Sequence, residues 1–340
     1  MKNKIIITGG TGFVGTHLAQ KFIKANYDVE IWDINDHLKR YEHSNLSKCP
    51  NVSFQKTDLS VGVPKTNYKS VRGIYHLAAL PHVDYSRYEP RQVIQNNVQC
   101  LLNILDLSLK QDIPVIFSSS VEVYGGKDTC IYTEKDKLNP LSPYAASKEA
   151  CEGIINSYVE SFGLKANILR FTNLYGPWQA PDRLVPRILT QAISGIDCQI
   201  EAGTIRDFLY IDDACEALMK LLDLHSFGDV FNLSSGRGYD NSFVGKLVQS
   251  QNQFSSKFYF ISPKKNDGRG KSLVSSPKKL QQAIAWKQTI EIEQGIQATF
   301  NWYKGNRIWW NRFEKSFSST RDSKHFIIDS MNWKKEAHED

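Results

Sequence analysis

The chain has 340 residues, 41% hydrophobic and 23% charged, with a formal net charge of +6 whose excess is spread along the sequence rather than gathered. That length suits one large or two intimately joined domains with a substantial core, and the composition excludes a disordered or membrane-spanning chain. The diffuse charge does not mark a nucleic-acid binder, and six scattered cysteines without a C-x-x-C pair point to reduced thiols and no metal cluster.

Met1-Lys2-Asn3-Lys4 passes at once into Ile5-Ile6-Ile7, leaving no room for a secretory leader, so a cytoplasmic location is expected. This β-branched run is closed by Thr8-Gly9-Gly10-Thr11-Gly12-Phe13-Val14-Gly15, after which Leu18, Phe22 and Ile23 recur at helical spacing. Strand, glycine turn and helix make a dinucleotide site, because glycines let the backbone approach a pyrophosphate and the helix start offers free N–H groups. The turn parses as G-x-G-x-x-G from Gly10 or as G-x-x-G-x-x-G from Gly9. A second strand, Val29-Glu30-Ile31-Trp32, ends at Asp33, where a carboxylate accepts from both ribose hydroxyls and repels a 2′-phosphate. NAD is therefore expected rather than NADP.

A third strand at Val52-Ser53-Phe54-Gln55 is followed by Asp58-Leu59, and a fourth at Gly73-Ile74-Tyr75-His76 runs into Leu77-Ala78-Ala79. Asp58 either touches the adenine or simply turns the chain, while the small Ala78 and Ala79 let the backbone approach the cofactor. Strands alternating with helical patterns predict an α/β fold with a doubly wound parallel sheet and ligands at the C-terminal strand ends.

Residues 96–111 read as an amphipathic helix, and the next strand, Pro114-Val115-Ile116-Phe117, ends in Ser118-Ser119-Ser120. Pro143-Tyr144-Ala145-Ala146-Ser147-Lys148 then opens another helix, whose i, i+4 spacing puts the Tyr144 phenol and the Lys148 amine on one face. Moving a hydride from a carbinol carbon to NAD⁺ requires loss of the hydroxyl proton. A free phenol, with a pKa of about 10, is a poor base at neutral pH, and a nearby cation favours phenolate.

With these segments in order, the sequence resembles an extended short-chain dehydrogenase/reductase of the NAD-dependent nucleotide-sugar epimerase/dehydratase family, over roughly residues 3–304. Besides the segments above, the likeness rests on Val123-Tyr124-Gly125, Asn173-Leu174-Tyr175-Gly176-Pro177 and the run from Arg206-Asp207-Phe208 to Asp213. It implies a Rossmann sheet, with NAD held by Gly9, Gly12, Phe13, Val14, Gly15, Asp33, Asp58, Leu59, Leu77, Ala78, Ala79, Tyr144 and Lys148. It also implies oxidation at C4 of a nucleotide-linked sugar and later return of the hydride. Tyr144 is then the base, Lys148 lowers its pKa, Ser120 binds the C4 oxygen, and His82, Asn173, Arg206 and Lys271 meet the substrate. Arg206 otherwise pairs with Asp212 or Asp213.

Glu122 bears on which transformation follows oxidation. Sugar 4,6-dehydratases often carry adjacent Asp and Glu here, the Asp as acid at C6 and the Glu as base at C5; this chain has Val121 before Glu122. Valine cannot protonate a leaving hydroxyl, so an NDP-sugar 4-epimerase is favoured. A 4,6-dehydratase or sugar-acid decarboxylase using Glu122 is the alternative, and His82-Val83-Asp84 and the stretch from Tyr175 to Pro186 resemble hexose dehydratases. A non-catalytic NAD-binding regulator or scaffold is the reading from another class, against which Ser120, Tyr144 and Lys148 all count.

Asp229-Val230-Phe231-Asn232-Leu233-Ser234 reads as a further sheet strand after a helix from Asp212 to Leu224. The expected division is a dinucleotide domain of 1–173 plus about 206–235, and a smaller split substrate lobe of about 174–205 and 236–304. The extension at 305–340, with Trp309-Trp310, Phe313 and Phe317, is expected to cover its own domain or a dimer mate rather than a membrane. The resemblance implies a homodimer through helices 96–111 and 144–162.

Overall fold

The computed structural model describes residues 3–35, 46–126, 131–251, 254–262 and 270–311. In chain order the strands are β1 (Lys4–Thr8), β2 (Asp28–Asp33), β3 (Val52–Lys56), β4 (Val71–His76), β5 (Val115–Ser120), β6 (Ile131–Tyr132), β7 (Ala166–Phe171), β8 (Asn173–Tyr175), β9 (Cys198–Glu201), β10 (Ile205–Tyr210), β11 (Val230–Leu233), β12 (Gly238–Asp240), β13 (Phe258–Ile261) and β14 (Ser272–Ser275). The helices are α1 (Phe13–Lys24), α2 (Val83–Tyr88), α3 (Pro90–Gln111), α4 (Pro143–Phe162), α5 (Leu184–Ile193), α6 (Ile211–Leu221), α7 (Asn241–Gln251), α8 (Lys278–Ile284), α9 (Ile292–Gly305) and α10 (Arg307–Asn311).

Ile5, Ile6 and Ile7 are wholly buried, and they alternate between the two layers that cover the sheet. Ile5 and Ile7 share a core with Leu18 and Phe22 of α1 and Leu218 of α6. Ile6 instead joins Leu101 and Ile104 of α3 and Ile155 of α4. A strand buried on both faces reads as a continuous apolar run. Seven parallel strands follow the order β11-β7-β5-β4-β1-β2-β3. This is the predicted doubly wound sheet. The order reverses between β1 and β4, which opens a crevice beyond their C-terminal ends.

A second sheet runs β12-β10-β14-β6, with β8 paired to β10, and β9 pairs with β13. Residues 206–210, grouped by sequence with the dinucleotide domain, pair here in the smaller sheet, whereas Val230–Leu233 joins the large one as predicted. The helix predicted over 96–111 begins earlier, at Pro90, whose fixed φ suits a first helical turn. The one containing Tyr144 starts at Pro143, capped by Ser142, and stops at Gly163 in the left-handed conformation.

In the C-terminal extension, Trp309 and Trp310 are buried. Trp309 packs with Trp178, Trp302 and Tyr303 of its own chain. Phe313 and Phe317 lie outside the described residues. Cys100, Cys151, Cys198 and Cys215 are buried free thiols, and Cys130 also lies outside. Among the described residues no helix is long and apolar enough to cross a membrane, and no group of His, Cys, Asp and Glu is arranged to hold a metal.

Candidate active site

The crevice at the β1/β4 reversal is a cleft of about 1490 Å³. One end is built on the glycine turn. Gly9 has φ +64°, and a Cβ there would lie 2.8 Å from the Ala78 backbone nitrogen; at Gly15 it would lie 2.6 Å from the Gly9 oxygen. Gly9, Gly12 and Gly15 all line the cleft. Gly10 instead backs onto Ile31, so the G-x-x-G-x-x-G parse describes the site. Helix α1 has Gly12 at its N-cap, with no side-chain cap and no acidic residue in its first turn. Its opening N–H groups and positive dipole end are therefore left for an anion.

Asp33, Asp58, Leu59, Leu77, Ala78 and Ala79 complete this end beside Phe13 and Val14. Asp33 Oδ2 accepts from the Thr11 amide (3.1 Å) and hydroxyl (2.6 Å), which fixes the carboxylate at the end of β2. Asp58 does what the plain turn reading required, accepting from the amide and hydroxyl of Ser60 at 2.9 and 2.6 Å while still facing the cleft. A close backbone approach, an uncapped helix start and a buried carboxylate together fit NAD.

At the other end Ser120, Glu122, Tyr144 and Lys148 line the same cleft. Ser120 caps the 3-10 turn Val121–Tyr124, accepting from the Glu122 amide at 3.2 Å, and its hydroxyl lies close enough to act on Tyr144. Burial pushes the Tyr144 phenol up to about 12; the Arg183 charge and the nearby Ser120 hydroxyl oppose this, and the Glu122 charge adds to it. Lys148 lies one turn along the same helix from Tyr144 and lines the cleft with it. Its ammonium donates to the Ser118 carbonyl at 2.7 Å and sits 4.7 Å from the centroid of the Phe117 ring, and burial lowers its pKa to about 8.

Arg183, which the sequence did not single out, adds a further cation to this end. It donates to the Pro81 carbonyl at 3.1 Å, while His82 Nε2 lies 3.1 Å from Asp182 Oδ2. These two contacts clip the loop after β4 to the segment before α5 beside Tyr144. The signal was present only as the dehydratase-like stretch from Tyr175 to Pro186. Asn173 lines the cleft too, with its amide on the Asp207 carbonyl at 3.2 Å.

Arg206 and Lys271 are not brought to the cleft lining. Arg206 is buried on β10 with Nη1 on the Ile205 carbonyl (2.8 Å), and Lys271 is exposed. The expected pairing with Asp212 or Asp213 is not what holds those carboxylates. Asp212 lies 4.0 Å from His17, and Asp213 takes the amides of Thr289 and Ile290.

Residues 5–234 match the model of the NAD dependent epimerase/dehydratase family. The chain belongs to that family. It is 28% identical to a dTDP-glucose 4,6-dehydratase of Actinoplanes, over 90% of this chain and 99% of the relative. It is 29% identical to a putative UDP-glucose 4-epimerase of Methanocaldococcus jannaschii, over 89% and 99% respectively. Among solved structures, DesIV, a dTDP-glucose 4,6-dehydratase from Streptomyces venezuelae with NAD bound, superposes with a TM-score of 0.80 at 25% identity, covering 91% of this chain and 99% of that one. The protein is thus an NAD-dependent enzyme of the nucleotide-sugar epimerase/dehydratase class, and its relatives span both reactions.

Proposed function

We propose that this enzyme is an NDP-sugar 4-epimerase working through a 4-keto sugar. The observation that carries this choice is the side chain before Glu122. Val121 is buried in a small apolar cluster with Val123, Tyr124, Tyr132 and Leu273, and it does not line the cleft. A C6 hydroxyl therefore meets no acid there. Ser120 holds the C4 oxygen, and Tyr144 takes the proton of the C4 hydroxyl and gives one back to that oxygen after the keto sugar turns over. Lys148, tethered to the Ser118 carbonyl, keeps the floor of the site polar and fixed. NAD, held by the glycine turn, Asp33, Asp58, Leu59, Leu77, Ala78 and Ala79 with Tyr144 and Lys148, supplies reversible hydride acceptance at C4.

The sugar nucleotide occupies the end lined by His82, Asn173 and Arg183, the last supplying the positive charge that suits a diphosphate. A second reading, 4,6-dehydration or decarboxylation, is favoured by one fact: Glu122 lines the cleft near enough for its charge to act on Tyr144.

The test is Glu122→Gln with UDP-glucose and dTDP-glucose, the products analysed by mass and retention time. The parent is expected to give an isomer of unchanged mass, and the variant to keep turnover within about tenfold. Removing the Glu122 charge also lowers the Tyr144 pKa, so the rising limb of the pH profile moves to lower pH. Loss of water or carbon dioxide from the sugar, abolished in the variant, would establish the second reading. A parent that binds NAD but neither binds nor converts a nucleotide sugar would leave an NAD-binding regulator or scaffold.

The same proposal includes the two-lobed division, with β10 reassigned to the smaller lobe, and a cytoplasmic location. It also includes a homodimer through α3 and α4, which pack on one another and leave Ile94 and Phe162 exposed. Light scattering is expected to give twice the chain mass; a monomer at micromolar concentration would refute it.

A further inference from the structure

Beneath the serines of β5 a charged pair is sealed in the interior and grips the active-site loop at two points. Glu152 and Arg170 are 3% and 4% exposed. Arg170 Nε lies 3.0 and 3.2 Å from the two Glu152 oxygens, and Nη2 lies 2.6 Å from Oε2. Glu152 Oε1 also accepts from the Ser119 hydroxyl at 2.5 Å. Arg170 Nη1 donates to the Tyr124 hydroxyl at 2.8 Å, and that hydroxyl donates to Asn232 Oδ1 at 2.8 Å.

These contacts have a pattern. Ser119 immediately precedes Ser120, and Tyr124 closes the turn that carries Glu122. Glu152 lies on α4 at i+4 from Lys148 and i+8 from Tyr144. The pair thus holds the chain on both sides of Ser120 and Glu122 and anchors it in the helix that carries the tyrosine and lysine. Neither charged group lines the cleft. Stability alone does not call for them, because apolar residues of similar volume often replace a buried ion pair at no cost, whereas removing one partner strands a charge.

We propose that Glu152 and Arg170 are a positioning pair that sets Ser120 and Glu122 against Tyr144 and Lys148. This rests on the active-site reading above. The double variant Glu152→Leu with Arg170→Met removes both charges together. It is compared with the parent and with Tyr144→Phe for bound NAD, melting temperature, and kcat and KM on UDP-glucose and dTDP-glucose.

The double variant is expected to fold, to keep its NAD and KM, and to lose about 10²-fold in kcat, the effect of misplacing a reacting group by about 1 Å. Its crystal structure is expected to show Ser120 displaced from its place beside Tyr144, a readout that holds even for a sugar the enzyme does not convert. Unchanged kcat, an unmoved Ser120, or losses of NAD and folding that account for the whole drop would overturn the proposal. Should the double variant not fold, Ser119→Ala releases the β5 end alone; a lower kcat at unchanged KM supports the pair, and an unchanged kcat refutes it. A fully active Tyr144→Phe would instead sink the active-site reading, leaving the displacement of Ser120 to be judged by its coordinates.

Discussion

Tyr144→Phe is expected to lower kcat by about 10³-fold, the usual worth of a positioned acid–base group, or about 4 kcal/mol in barrier height. The change deletes one oxygen from a ring packed with Tyr85 and Val93, so the core keeps its shape. What goes is the phenol that faces Ser120 and exchanges a proton with the sugar. Bound NAD and melting temperature are expected to match the parent, since the glycine turn and Asp33 are untouched. The parent's activity should rise with pH, because burial lifts the phenol to about 12 and the basic form accumulates toward alkaline solution. The variant's residual activity should lose that limb. Retained kcat in Tyr144→Phe, measured on a sugar the parent converts, would remove this residue from the chemistry.

The parts of this site legible in the sequence are those fixed by local spacing. The glycine turn, Asp33 at the end of β2, and Tyr144 one helical turn from Lys148 each depend on a few neighbouring residues, and each lines the cleft. What spacing could not give was direction and long-range pairing. Lys148 shares a helix face with Tyr144, yet its amine goes to a carbonyl of β5, a strand from an earlier part of the chain. Strand β7 was not predicted, because Asn167 and Arg170 interrupt its apolar run. Arg170 is tolerated inside because Glu152 and Tyr124 satisfy it across the fold. The early start of α3 was hidden by Arg91, Gln92, Gln95 and Asn96, a polar opening with little amphipathic signal. Arg206 fits a substrate-binding motif by position, but pairing with β12 and β14 holds its strand in the smaller sheet.

Gly9→Ala is expected to empty the nucleotide site while leaving most of the fold standing. The position has φ +64°, where an alanine costs about 1–2 kcal/mol. Its methyl would also meet the nitrogen and Cα of Ala78 at 2.8 and 2.9 Å. That neighbour cannot easily retreat, because the Ala78 amide donates to the Thr8 hydroxyl at 3.2 Å and the Leu77 amide to the Thr8 carbonyl at 3.2 Å. The turn must therefore lift from β4, and the first N–H groups of α1 lose their aim at the pyrophosphate. With about 1.4 kcal/mol per tenfold in affinity, NAD binding is expected to weaken by tenfold or more. The melting temperature should fall by about 2–4 °C for each kcal/mol of strain. Gly62→Ala, where an added methyl meets nothing within 4 Å, is the matched control and should change neither quantity. Calorimetric titration of both variants with NAD decides the matter: parent-like affinity in Gly9→Ala would show that the close approach of this turn to β4 does not govern dinucleotide binding.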